Sequence, residues 1–305
     1  MPIYAGIDEA GYGPTLGPLT VTATAFEWKG DLDQARQSYS GLSQAFPRIT
    51  DSKRVFTPKK GIQALEERVH TFFPVWFDTP PRTLSAFIEL LTENGYKDVF
   101  NRSPWFTGDD LDIPVTKINA KTASDILNGL GVRSAYAVSR IINVPLFNNT
   151  IQQGFNKGML LFSMVCSLLT SVMSKYENKD IRITVDRLGG RKFYKRLLLE
   201  NFAASRIETL TETEQESEYL VNTGTRNVHI AFKVKADADD FCTGLSSLVS
   251  KYLRELCMHL FNGFFCSRSK GLKATQGYPQ DARRFLKDIK GMVTGNELEH
   301  LMRLR

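Results

Sequence analysis

Apolar positions recur along the chain with two different periods. Ile3–Ile7 is a short apolar run that stops at Asp8-Glu9, and Gly11, Gly13, Pro14 and Gly17 then turn the chain. Leu19–Phe26 alternates, with Leu19, Val21, Ala23 and Ala25 on one face and threonines on the other, which is the period of a strand. The two runs predict an antiparallel hairpin with a glycine-rich connection. Thr50-Asp51-Ser52-Lys53 precedes a helix that Thr57 can cap, with Pro58 at its first position and Ile62, Leu65, Val69 and Phe72 at helical spacing. Leu84–Leu91 reads as helix, but the rest of 73–132, broken by Pro80-Pro81 and by Gly108-Asp109-Asp110, predicts no definite layout.

Further along, Ala135–Val138 predicts a short strand and Gln153–Tyr176 a long helix. Ile181–Val185 is a β-branched run ending at Asp186; Gly189-Gly190 follows, and then a basic helix over Arg191–Phe202. Val228–Val234 predicts a strand leading into Lys235-Ala236-Asp237. A long amphipathic helix then places Phe241, Leu245, Leu248, Val249, Tyr252, Leu253 and Leu256 on one face. The tail from Ser267 to Arg305 holds a Gly277-Tyr278-Pro279 turn and more amphipathic helix. Strands and helices are mixed without internal repeats, so the expected fold is layered, α/β or α+β.

Composition changes this picture little. With 42% hydrophobic and 24% charged residues the chain has the make-up of a folded globular protein. The net charge of +6 favours a polyanionic partner, because Lys and Arg that neutralise phosphates release counterions. Cys166, Cys242, Cys257 and Cys266 form no C-x-x-C pair, and the four histidines do not fall at ligand spacing around them; reduced, buried thiols are expected rather than a zinc site. Met1-Pro2-Ile3-Tyr4 opens directly into the first strand, without the basic and apolar regions of a signal peptide. The most apolar run, Gly158–Met173, is interrupted by Ser163, Ser167, Thr170 and Ser171 and is shorter than the roughly 20 residues of a membrane span. It is read as a buried core helix. A cytoplasmic monomer away from membranes is expected.

The candidate chemistry lies in carboxylates at strand ends. Asp8 follows one apolar run, Asp186 a second, and Asp237 stands just past a third; Glu9 joins the first. Each alone is an ordinary turn residue. Gathered at one sheet edge, they would repel unless a hard divalent cation joined them, and oxygen-only ligands suit Mg²⁺ or Mn²⁺. Two such ions roughly 3.5–4 Å apart can bind both the attacking and the leaving oxygen of a phosphodiester.

The run GIDEAGYGPTLGPLTV from Gly6 to Val21 closely resembles the first motif of ribonuclease HII, the type II ribonuclease H. Asp51-Ser52-Lys53 is similar to that family's second motif, Asp186 at the end of a strand to its third, and Lys235-Ala236-Asp237 with Ser247, Lys251 and Arg254 to its fourth. Gly277-Tyr278-Pro279, with Asp281 and Phe285-Leu286, resembles the C-terminal Gly-Tyr-Pro segment of archaeal and eukaryotic members. Together the motifs span roughly 1–75 and 133–290.

The resemblance implies a ribonuclease H-like α/β fold, a central mixed sheet flanked by helices with a helical C-terminal part. It implies a catalytic domain over 1–265 and a substrate-contacting segment over 266–305. Catalysis and metal ligation would fall to Asp8, Glu9, Asp186 and Asp237, with Asp8 bridging two Mg²⁺ or Mn²⁺ ions. Substrate contacts would come from Gly11, Tyr12, Gly13, Ser52, Lys53 and Tyr278. Of these, the Gly11–Gly13 backbone and Tyr278 would read a ribose 2′-hydroxyl, the group that separates RNA from DNA, and Lys53 would sit near a phosphate. The implied reaction is endonucleolytic hydrolysis 5′ of a ribonucleotide in an RNA–DNA hybrid or duplex DNA.

Two departures stand against this. The family's Gly-Arg-Gly is Gly11-Tyr12-Gly13, so a guanidinium is replaced by a ring that can stack on a base or sugar. The spacing between Asp51 and Asp186 is also longer than the family's, with the excess at about 76–132 around Trp105, Phe106 and Asp109-Asp110. A lid, an extra nucleic-acid contact and a partner surface are all open for that insertion. A ribonuclease H-fold nuclease with another nucleic-acid target, or a nucleic-acid-binding protein without catalysis, are the competing expectations.

Overall fold

Seven strands form one sheet in the order β3-β2-β1-β4-β7-β6-β5 in the computed structural model, which describes residues 1–49, 51–57, 61–93, 103–106, 110–118, 122–202 and 206–304. β1 (Ile3–Ala10) pairs antiparallel with β2 (Leu19–Trp28), the expected hairpin, and β2 pairs antiparallel with β3 (Val132–Ile142). On its other side β1 runs parallel to β4 (Ile181–Asp186), which runs parallel to β7 (Asn227–Lys233). β5 (Arg206–Glu212) and β6 (Glu216–Asn222) complete the sheet as an antiparallel hairpin. The sheet is mixed and flanked by helices, with a helical C-terminal part, as expected.

Period 2 on β1 and β2 explains how the sheet is clothed. Ile3, Ala5, Ile7, Val21, Ala23 and Ala25 share a core with Leu161, Val165, Leu168, Leu169 and Val172 of the Lys157–Lys175 helix. That helix is long and apolar enough to cross a membrane, yet it lies in the core, as its reading as a buried helix required. The threonine face meets the Phe241–Cys266 helix through small polar side chains, all of them paired. Thr20 Oγ1 donates to Ser250 O at 2.8 Å, Thr24 Oγ1 to Cys242 O at 3.0 Å, Ser246 Oγ to Gly6 O at 2.8 Å, and Ser250 Oγ to Asp8 O at 2.9 Å. Small hydroxyl residues let helix and sheet approach closely, and satisfied hydrogen bonds remove the cost of burying them.

Several boundaries differ from expectation. The expected Gln153–Tyr176 helix starts only at Lys157 and ends at Lys175, after a separate Val144–Gln152 helix; Gly154 (φ 95°) turns the chain between them, and Asn156 caps the second by accepting from Met159 N at 2.9 Å. The basic helix is only Lys195–Asn201, because Tyr194 N is drawn to Tyr219 Oη at 2.9 Å. Thr57 does not cap the next helix: that helix starts at Gln63 without a side-chain cap, Asp51 caps a short Ser52–Val55 helix instead, and Pro58 lies outside the described residues. The short strand at Ala135–Val138 extends over all of β3.

The described parts of 76–132 are packing. Leu84, Phe87, Ile88 and Leu91 of the Leu84–Leu91 helix share a core with Leu248, Tyr252 and Leu256 on the Phe241–Cys266 helix. Trp105 packs edge-on to Phe261, with centroids 5.0 Å apart. Asp110 accepts from Ser85 N at 3.1 Å, while Asp109 lies outside the described residues.

Candidate active site

β1 and β4 are parallel neighbours, so their carboxyl ends emerge side by side; in open α/β sheets, ligands bind beyond those ends. Asp8 and Glu9 stand at the end of β1 and Asp186 at the end of β4. One carboxylate oxygen from each of the three lies within 4.8 Å of the others, close enough to hold one metal ion. Asp237 is outside this trio but within reach of its charge. It sits on the Ala236–Asp239 helix, which β7 enters through Lys235 in the left-handed conformation (φ 56°). Asp186 ties the two together by accepting from Ala236 N at 2.8 Å.

The electrostatics are those of buried, crowded acids whose repulsion Lys53 only partly offsets. Burial, then the charges of Glu9 and Asp186, hold the Asp8 carboxyl well above the usual carboxylate range. Burial and then Asp186 push Glu9 up to about 7. Burial, Asp186 and Asp51 push Asp237 up to about 6, and Asp186 is raised chiefly by burial. Glu9 Oε2 is buried without a hydrogen-bond partner. An oxygen-only set that resists ionising, with an orphaned buried oxygen, fits a hard divalent cation.

Asp51-Ser52-Lys53 closes the far side. Ser247 Oγ donates to Ser52 Oγ at 3.0 Å, and Ser247 lies near enough to the Asp8 carboxyl to lower its pKa. Lys53 is partly desolvated, which lowers its pKa, but Asp237, Asp51, Asp8 and Asp186 together raise it above the ordinary value. Asp51 stands close enough to Asp237 to raise its pKa, a place that the second motif did not assign to it.

The glycine-rich turn is bound by its carbonyls. Arg303, buried, donates to Gly11 O at 2.6 Å, Gly17 O at 2.6 and 2.9 Å, and Pro14 O at 3.4 Å, and its own N–H donates to Thr15 O. Arg254, also buried, donates to Gln276 O at 2.9 Å and Leu16 O at 3.4 Å. Gly277 O accepts from Thr15 N and Leu16 N, which brings the Gly-Tyr-Pro segment onto the turn. Gly11 has φ 92°, and a β-carbon there would meet Pro18 O at 2.5 Å, so only glycine fits. A β-carbon at Gly13 would lie 3.5 Å from the half-exposed Tyr278 ring, so Gly13 and Tyr278 are brought together as the motifs implied. Nothing in the sequence pointed to Arg303.

Arg303→Met should keep most of the volume while leaving three carbonyls without their donor. At about 1–3 kcal/mol for a buried unsatisfied group, a destabilisation of about 3 kcal/mol is expected. A ten- to hundredfold loss of turnover should accompany it, since small displacements of a positioning loop cost about that much. Thermal melting and initial rates check this; a variant as stable and active as wild type would show that the turn holds itself.

No protein-family model matches the chain, and no curated protein does. Solved structures do. Ribonuclease HII from Archaeoglobus fulgidus, in its complex with PCNA, aligns over 99% of this chain and 94% of that one, with 16% identity and a TM-score of 0.49. Ribonuclease H2 from Pyrococcus horikoshii OT3 aligns over 95% and 88%, with 13% identity and a TM-score of 0.44. RNase H3 from Aquifex aeolicus aligns over 98% and 71%, with 12% identity and a TM-score of 0.46. Across nearly its whole length this chain is similar to ribonucleases HII and HIII, and its chemistry has to be read from its own residues.

Proposed function

We propose that this chain is a metal-dependent endonuclease of the ribonuclease H type that cuts 5′ of a ribonucleotide in an RNA–DNA hybrid or duplex DNA. The observation that carries the proposal is the Asp8, Glu9, Asp186 trio at the ends of two parallel strands, beside a glycine turn that Tyr278 adjoins. In this reading Asp8, Glu9, Asp186 and Asp237 hold two Mg²⁺ or Mn²⁺ ions. Such ions, when bound, supply an activated water and stabilise the leaving 3′-oxygen, giving 3′-hydroxyl and 5′-phosphate ends. Asp8, central among the acids, is the shared ligand. Gly11–Gly13 brings backbone close to the substrate and Tyr278 packs at the ribose, where the 2′-hydroxyl distinguishes RNA from DNA. Lys53, charged and drawn towards the acids, neutralises a phosphate, and Ser52 orients the Asp8 side of the site through Ser247. The 266–305 segment serves as the substrate-contacting part, because it carries Tyr278.

The test is cleavage of a labelled DNA duplex with one embedded ribonucleotide, beside an all-DNA duplex and an RNA–DNA hybrid, with Mg²⁺ or Mn²⁺. Cutting only where ribose is present is the expected result. Equal cutting of the all-DNA duplex would favour the second reading, a nuclease of this fold with another target. That reading is motivated by Tyr12, whose ring lies under the Lys157 ammonium. No cutting of any duplex by protein that binds the metal would overturn the ribonucleotide reading and mean that the substrate has changed.

A further inference from the structure

Cations around the site fall into two groups. Lys192 pairs with Glu214, Arg196 with Glu200, and Lys233 with Glu216 and Glu218. Lys157 and Arg191, like Lys53, Arg187 and Lys235, differ: among the described residues, no carboxylate lies within ion-pair distance of them. Lys157 stands over the Tyr12 ring, and the loop that carries Arg191 lies beside the Tyr12 hydroxyl. The Lys157 ammonium sits 4.2 Å above the ring centroid, a cation–π contact that fixes its position without neutralising its charge. The Tyr12 hydroxyl lies against Gly158, next to Lys157, and against Gly189 in the loop that carries Arg191. Burial raises the pKa of the hydroxyl, Glu9 raises it further and Arg191 lowers it, so both charges lie within reach of Tyr12. Glu9 also acts on the Lys157 ammonium, whose pKa is lowered by burial first and then by Arg303.

Half-buried cations that lack an acid and stand beside a metal-ligating cluster need an anion from outside. We infer that Lys157 and Arg191, gathered around the Tyr12 ring, bind a backbone phosphate of the nucleic-acid strand flanking the one that is cut. The aromatic ring acts as the platform that aims the ammonium, and Lys53 serves the opposite side of the cluster. The inference rests on the nuclease reading above and deepens it by stating where the strand runs.

The experiment is equilibrium binding of the ribonucleotide-containing duplex and the all-DNA duplex across a salt series, with Ca²⁺ replacing Mg²⁺ to hold back turnover. Each phosphate contact contributes about 0.9 to the slope of log K against log salt on duplex DNA. The double variant Lys157→Gln, Arg191→Gln, which removes both cations from that one phosphate, should lower that slope by about 0.9 and weaken binding to both duplexes alike. Lys157→Arg with Arg191 retained should keep the wild-type slope, as should Lys192→Ala, whose ammonium is already paired. A double variant with the wild-type slope, in a preparation where wild type binds and cuts the ribonucleotide duplex, overturns this inference and leaves the nuclease reading standing. Wild-type protein that binds neither duplex overturns both.

Discussion

Asp8→Asn is expected to abolish cleavage while raising the melting temperature of the metal-free protein. Loss of an outer hydrogen-bond partner of a metal ligand already costs about 10–100-fold, so loss of the central ligand should cost at least about 10³-fold. The stability gain follows from the crowding of Asp8, Glu9 and Asp186, which in the metal-free protein is a net repulsion. Glu9 has a folded-state pKa of about 7 against an ordinary 4.5. The folded form therefore retains a proton that the unfolded chain has released, and the contribution of Glu9 to metal-free stability is fully present below about pH 4.5. It is lost as the pH rises through about 7, at about 1.4 kcal/mol per pH unit between the two values. Asp237, raised from 3.8 to about 6, acts in the same direction. Calorimetry of the chelated protein from about pH 4.5 to 8 reads this directly. Wild type should lose stability across the window, Asp8→Asn should lose less, and Mg²⁺ should restore wild type and not the variant. Stability that climbs with pH across that window, or an Asn variant that melts lower than wild type, would show that the trio is not under repulsion.

Gly6→Ala should prevent folding or lower stability by at least about 4 kcal/mol. Gly6 is in the middle of β1, where the start of the Phe241–Cys266 helix crosses the strand. A β-carbon there would lie 2.0 Å from Thr243 N and 2.2 Å from Cys242 C, both backbone atoms. Overpacking a core usually costs about 1–3 kcal/mol because side chains adjust; a helix backbone pinned by Ser246 Oγ to Gly6 O cannot. Gly263→Ala, in the same helix with nothing within 4 Å, is the control and should gain up to about 1 kcal/mol through helix propensity. Soluble yield and melting temperature separate the two. A Gly6→Ala protein that melts like wild type would mean that the helix does not rest on the strand backbone.

The order of elements was largely legible, for a local reason. β1, β2, β4 and β7 are buried strands whose β-branched and small apolar residues set a period visible in any window of the chain. The Leu84–Leu91 and Phe241–Cys266 helices showed the 3.6 period equally well. The β5–β6 hairpin escaped notice because only alternate residues such as Ile207, Tyr219 and Val221 are buried, and the glutamates between them mask the pattern. Thr20, Thr22 and Thr24 read as the polar face of a strand, yet they are fully buried. Polarity alone does not distinguish water from a serine-lined helix.

For the site, strand ends pointed to Asp8, Glu9, Asp186 and Asp237 because they are local features of sequence, and the resemblance to ribonuclease HII motifs added Lys53, Gly13 and Tyr278. What they could not determine is distance. That Asp8, Glu9 and Asp186 meet within 4.8 Å while Asp237 stands outside the trio follows from the parallel register of β1 and β4 and from the left-handed residue at Lys235. Arg303 binding a turn at the far end of the chain, and the Lys157 ammonium standing over the Tyr12 ring, leave no trace in spacing or composition. By itself the sequence determined which segments are strands or helices and which acids end them, since those depend on neighbours along the chain. Only the tertiary structure decided which charges share a site, because hydrogen bonds and Coulomb energies depend on separation in space.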